Sequence, residues 1–294
     1  MINLLKAEWL KISKNYALTG FLVWIYPIGL GSFFAIAIFS SAFSDSIQAG
    51  MVTTSSGQWT TDMLGIWVAI TSFPANIFPR MLPLAFMAVV FANEYQWGMW
   101  KNLIPRGRRA PLIVSKLVML IFVVWLSLLV TSFVIGIGQA LTHKAADVAY
   151  GPTVTFETVK DFTPEYLREM LLGMASLTVL AGYAALAVLL TRSVLGGLLI
   201  GFGLSILEPM SLQLLLLASR LLDSANLVNL YRFTPTYNID NLRSWLVNNS
   251  ALTQMLPDFT VEPGLAFSAF MLSVWIAVLV GLTVGIFGKQ DISS

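Results

Sequence analysis

The chain has no cysteine and a single histidine, His143. Disulfides and cysteine-ligated metal centres are therefore excluded, and one imidazole cannot build a multi-histidine metal site. Charge is scarce too: 11% of residues are charged against 57% hydrophobic, and the mean hydropathy is +0.78. That is too little polar surface to coat a soluble globule of 294 residues, so the composition implies an integral membrane protein. The net charge of +2 gives no sign of nucleic-acid binding, because the basic residues sit in connections between apolar runs and form no single face.

Catalytic patterns are missing as well. There is no His-Glu-x-x-His, and Gly201-Phe202-Gly203-Leu204-Ser205 is not the Gly-x-Ser-x-Gly elbow of a serine hydrolase. The string Gly285-Ile286-Phe287-Gly288-Lys289-Gln290 has the wrong spacing for a phosphate-binding loop and lacks the Ser or Thr that would hold magnesium. No catalytic residue and no metal ligand is assigned, and the chain is not expected to hydrolyse ATP alone. His143 falls in an expected outer loop and reads as an ordinary solvated histidine.

What the sequence does contain is six apolar runs near residues 17–43, 64–92, 112–141, 166–191, 194–217 and 264–288. Each is long enough to cross a hydrocarbon core of ~30 Å, which takes about 20 helical residues. The expected fold is an all-α integral membrane protein with six transmembrane helices. The second run is interrupted by Pro74, Pro79, Arg80 and Pro83, so its span either begins near Pro83 or leaves Gly65 to Phe73 as a separate re-entrant or interfacial piece. Ala35-Ile36-Ala37 resembles a signal cleavage site, but it lies inside an apolar run much longer than a signal core, and the run reads as a retained helix.

Lysine and arginine placement sets the orientation. Lys101, Arg106, Arg108, Arg109 and Lys116 cluster after the second run, whereas most acids fall in the alternate connections. The positive-inside rule then places residues 93–111 and both termini in the cytoplasm, with residues 142–165 and 218–263 outside. The second outer connection is too long to be structureless. A short helix over 240–247 and the apolar residues Leu227, Leu230, Trp245 and Leu246 imply a packed outer cap. The sequon Asn248-Asn249-Ser250 reads as a chance match.

In residues 1–16, Ile2, Leu5, Trp9, Ile12 and Tyr16 recur at three- and four-residue steps, while Lys6, Glu8, Lys11 and Lys14 lie off that stripe. The pattern fits a helix in the headgroup plane anchored by Trp9; the alternative is a frayed tail with topogenic lysines. Gly197 with Gly201, then Gly203, and Gly281 with Gly285 allow close helix approach. Glu208 is the one acid deep in an apolar run, followed by Pro209. It reads either as a pathway residue or, if the helix breaks there, as an interface residue that caps or pairs with Arg220.

Residues 93–111 form an aromatic and basic wedge between two apolar runs. Trp97, Trp100, Leu103 and Ile104 make an apolar edge at i, i+3, i+6 and i+7, and large aromatic anchors are typical hot spots of small interfaces. Arg106, Arg108 and Arg109 would pair with acids on a partner or with anionic headgroups. A purely topological role accounts for the arginines and leaves the tryptophans to the membrane interface.

Glu94, Tyr95 and Gly98 follow the Glu-(Tyr or Phe)-x-x-Gly pattern, with Met99 where a small polar residue is common. Together with the expected topology over essentially the whole chain, this resembles the permease subunits of ABC-2 type transporters. The resemblance implies a single transmembrane domain over 1–294 and an exporter of amphipathic substrates such as peptide antibiotics, lipids, glycolipids or drugs. It makes 93–111 a coupling helix, with Glu94, Tyr95, Trp97, Gly98, Trp100, Lys101, Leu103, Arg106, Arg108 and Arg109 as contacts to an ATP-binding subunit. It further implies two copies of that subunit, a second permease subunit in a homo- or heterodimer, contact with membrane lipids, and a place in the bacterial inner membrane. No cofactor is expected on this chain; ATP and Mg belong to the partner. The alternative function is a proton- or ion-coupled secondary transporter using Glu208, against which stand few intramembrane ionisable residues and no visible inverted repeat.

Overall fold

The computed structural model describes residues 2–41, 55–72, 77–96, 109–252 and 261–290. Among them the regular structure is helical, apart from one isolated bridge between Gln58 and Gly151. In chain order the helices are α1 (Ile2–Lys14), α2 (Tyr16–Leu22), α3 (Ile25–Ser41), α4 (Trp59–Thr71), α5 (Ile77–Gln96), α6 (Arg109–Ala145) and α7 (Phe156–Thr191). After these come α8 (Val194–Leu207), α9 (Ser211–Leu221), a 3₁₀ helix (Ala225–Phe233), α10 (Pro235–Asn248) and α11 (Leu265–Lys289).

Helix α7 is the hub. It packs against α4, α5, α6, α8, α10 and α11. Of its most apolar window 72% is buried, against 22% for α11, most of whose surface the rest of the described chain leaves uncovered. Small residues permit this: a Cβ on Gly173 would sit 2.7 Å from the Trp67 ring, and one on Gly182 would sit 2.8 Å from Leu279. Of the glycines singled out in the sequence, Gly197 packs on Val188 and Gly201 on Leu84, whereas Gly203, Gly281 and Gly285 face open space.

Among the described residues three helices, α6, α7 and α11, are each long and apolar enough to cross a membrane. The run expected as one span over 194–217 is two helices, α8 and α9, bent by 62° around Pro209, and it counts as a fourth crossing only if the bent pair is one span. The run 64–92 is likewise divided: α4 ends at Thr71, and α5 runs from Ile77 through Pro83 to Gln96. The run 17–43 breaks between Leu22 and Ile25, and residues 42–54 lie outside the described set. Helices α6 and α7, at 37 and 36 residues, are much longer than the runs 112–141 and 166–191 because polar turns extend them. The last run is matched closely by α11.

Two prolines explain local geometry in the early helices. Pro27 and Pro83 have no N–H, so the carbonyls four residues before them, those of Val23 and Pro79, lose their intrahelical donors. Each carbonyl finds a hydroxyl from another helix instead. Ser127 Oγ donates to the Val23 carbonyl at 2.7 Å, and Tyr26 Oη donates to the Pro79 carbonyl at 2.9 Å.

Three further expectations change. His143 is 1% exposed at the end of α6; its Nδ1 lies 2.9 Å from the Gln139 carbonyl and its ring 4.6 Å from that of Tyr150. A helix continuing past the apolar run has carried it into the packed interior. The connection before α11 does contain a helix, α10, longer than the expected 240–247. Its burial rests on Val228, Tyr237 and Ile239, while Leu230 and Leu246 face outward. Helix α1 forms as expected, but its buried positions are Glu8 and Ile12, with Ile2 and Trp9 exposed; the side chain of Tyr16 is outside the described set.

Candidate functional site

Glu8 and Lys11 lie one turn apart on α1, Glu94 stands near the end of α5, and Lys116 lies two turns into α6. Packing of α1 against α6 and of α2 against α5 brings the four together. Lys116 Nζ lies 2.8 Å from Glu94 Oε1 and 3.4 Å from Glu8 Oε2. Lys11 Nζ lies 2.7 Å from Glu8 Oε1 and 3.0 Å from Glu94 Oε1. The side chains of Lys116 and Glu94 are 2% and 3% exposed, which makes theirs a desolvated ion pair. Burial alone would raise the Glu8 carboxyl, but Lys116 and Lys11 outweigh it and hold the group below its ordinary value. For Lys11, burial acts downward, and Glu94 and Glu8 carry it above its ordinary value.

The cluster brackets the wedge identified in the sequence. Glu94 and Lys116 sit on the two helices that lead into and out of residues 97–108, and those residues lie outside the described set. Trp97, Gly98, Trp100, Lys101, Leu103, Arg106 and Arg108 all fall there. The same two stems are tied to the end of α11. Tyr95 Oη donates to Gln290 Oε1 at 2.6 Å, and Gln290 Nε2 donates to the Leu189 carbonyl at 2.7 Å. Arg109 Nη1 donates to the carbonyls of Gly288 at 2.8 Å and Gln290 at 2.9 Å, which places a cation at the negative end of the α11 dipole.

A family model described as ABC-2 family transporter protein matches residues 4–208, well over half of the chain. The chain belongs to the ABC-2 transporter family. No curated protein and no solved structure shows significant similarity to it. As an ABC-2 protein it is a membrane transport component of a kind that is typically non-enzymatic and associates in general with an ATP-binding subunit.

Within this ABC-2 protein, Glu94, Tyr95 and Arg109 are the described members of the expected contact set, and all three bond within the chain. They therefore brace the base of the wedge, because charged or phenolic groups at helix junctions find nearer partners on α1, α6 and α11. Lys6 and Lys14 are exposed, and Trp9 is 40% exposed with its ring 6.4 Å from that of Phe122.

Glu208 lies at the other end of the helix bundle. It caps α8, where Pro209 follows, and both its oxygens accept from Thr236 at the start of α10, from the backbone N–H and from Oγ1, each at 2.9 Å. Thr236 takes the place expected for Arg220. A second ion network lies nearby on α10, α7 and α4. Arg243 meets Glu169 through both carboxylate oxygens, at 2.8 and 3.0 Å, meets Asp240 at 2.8 Å, and also donates to Thr71 Oγ1. Burial pushes the Asp240 carboxyl up to about 6 although Arg243 pulls it down. Glu169 and the Glu8–Lys116 pairing escaped sequence reasoning. The only available signal was an acid or a lysine at positions where an apolar helix face continues.

Proposed function

We propose that this chain is the permease subunit of an ATP-driven exporter: its coupling segment, residues 93–111, docks on a separate ATP-binding subunit, of which the assembly holds two copies, and a second permease subunit completes the translocation path. In this reading the chain crosses the bacterial inner membrane six times with both termini in the cytoplasm, and residues 218–263 form an extracytoplasmic cap. It binds no cofactor; ATP and Mg sit in the partner. The substrate is amphipathic, in keeping with the apolar bundle and the scarcity of charge within it. The observation that carries the proposal is the ionic bracing of both stems of the aromatic and basic wedge in a chain of this family.

The bracing gives the coupling a route. A partner that pulls on residues 97–108 would move α5 and α6 together, since Glu94 and Lys116 are paired across them, and would carry α1 along through Lys11–Glu94 and Glu8–Lys116 and the end of α11 through Arg109. Rigid elements moved as a unit convert ATP-driven closure of a partner into a rearrangement of the pathway.

The test is on the wedge. Replacing Trp97 and Trp100 by alanine removes two large anchors, each worth ~2 kcal/mol or more at an interface hot spot, so co-purification of the ATP-binding subunit and transport are lost while membrane insertion persists. Arg108→Gln has a smaller effect, seen mainly in the salt dependence of association. Wild-type affinity for the ATP-binding subunit in the double tryptophan variant would refute the assignment. Labelling of a single cysteine at Gly107 from outside intact cells would refute the orientation, and the chain's lack of native cysteines makes that experiment clean.

A further inference from the structure

The hydrogen bonding of the four-charge cluster is incomplete. Glu8 uses both carboxylate oxygens, and Glu94 Oε1 accepts from Lys11 and lies 2.8 Å from Lys116 Nζ, but Glu94 Oε2 is buried with no hydrogen-bond partner among the described residues. Native proteins seldom leave a carboxylate oxygen in that state, because the group has surrendered water and gained no donor. Glu94 lines a cavity of about 530 Å³ together with Lys11, Asn15, Leu18 and Val90. A second crevice of about 290 Å³ adjoins it, sharing Ile12 and Thr19, and is walled by apolar residues including Trp9, Trp24 and Val123. One chamber is therefore lined with charge and its neighbour with hydrocarbon.

We propose that these paired chambers bind a membrane phospholipid whose headgroup carries an N–H ammonium, the phosphatidylethanolamine class, with the ammonium donating to Glu94 and an acyl chain along the crevice beside Trp9. Three observations select this occupant. The missing element is a donor, so a quaternary ammonium, which has no N–H, cannot complete the cluster. The two glutamates and two lysines cancel in charge, so a zwitterion enters without unbalancing them, whereas an anionic lipid would. Lys11 is 35% exposed and spends two of its three protons on Glu8 and Glu94, which leaves one for a lipid phosphate. The apolar crevice favours a lipid over a soluble amine, which would fill only the charged chamber. Binding here is independent of ATP and of any partner, so it stands or falls separately from the transport reading.

The experiment is native mass spectrometry of the delipidated full chain, titrated with one acyl composition carried on ethanolamine, N-methyl, N,N-dimethyl and choline headgroups, and on glycerol. Binding is expected to persist through the dimethyl form, which retains one N–H, and to fall about tenfold for choline, the loss of roughly one charge-assisted hydrogen bond. The Leu18→Trp variant fills the charged chamber without touching the four ionised residues and is expected to erase the headgroup preference. Equal binding of choline or glycerol lipids would overturn the proposal, as would a preference that survives Leu18→Trp. Displacement of the lipid by chain-free glycerophosphoethanolamine at matched concentration would overturn the lipid assignment in favour of a soluble amine. Should Leu18→Trp fail to fold, the headgroup series on the wild-type chain still decides.

Discussion

Lys116→Met isolates the desolvated pair at the base of the wedge. Lys116 Nζ is 2.8 Å from Glu94 Oε1 with both side chains nearly closed to solvent. Methionine keeps most of the volume and removes the charge, which takes the cluster from two acids and two bases to two acids and one base. Breaking a fully buried pair costs about 3–5 kcal/mol. Glu94 keeps Lys11 at 3.0 Å, but that lysine is 35% exposed and shared with Glu8, so the cost falls at the lower end, about 3 kcal/mol. At about 2–4 °C per kcal/mol the midpoint of unfolding in detergent drops by roughly 6–12 °C, read by fluorescence-detected size exclusion after heating. Adding Glu94→Gln restores charge balance and leaves the Glu8–Lys11 pair at 2.7 Å, so the double variant regains at least half of the loss. A drop under about 2 °C in the single variant, or a double variant no better than the single, would refute the claim that this pair is desolvated and coupled.

Three further perturbations follow from the same geometry. Because the folded Glu8 carboxyl is held below its ordinary 4.5, its contribution is present above that value and is lost as pH falls through the depressed one; the unfolding midpoint should fall below about pH 4.5, and Glu8→Gln should flatten that limb in a pH series. Tyr26→Phe and Ser127→Ala each strip the donor from a carbonyl orphaned by proline, and each is expected to cost about 1–2 kcal/mol; thermal unfolding midpoints unchanged in both would show those carbonyls satisfied otherwise. Glu208→Gln keeps an acceptor for Thr236, so assembly and ATP-driven transport should survive; proton-driven uptake without an ATP-binding partner, lost in this variant, would favour the secondary-transporter reading instead.

Membrane class, helical content and the bounds of α11 are determined by the sequence itself, because hydropathy is a local property and a charge-free run of that length has one stable form in lipid. The aromatic and basic wedge and the Glu94, Tyr95 and Gly98 pattern also lie in a continuous stretch, and they were enough to reach the ABC-2 family. Pro83 marked one point of helix stress in the sequence, and Pro27 marked none; neither position says which side chain relieves the freed carbonyl. That was decided in three dimensions: Tyr26 serves a carbonyl 53 residues away, and Ser127 serves one 104 residues away. The same holds for Glu94, whose buried pairing depends on α1 delivering Lys11 from 83 residues upstream. Glu169 and Arg243, 74 residues apart, are unremarkable in sequence and form one ion pair in the fold. An ionisable group in a poorly solvated bundle takes whichever partner packing brings within ~3 Å, and that choice depends on helix contacts that no local pattern encodes.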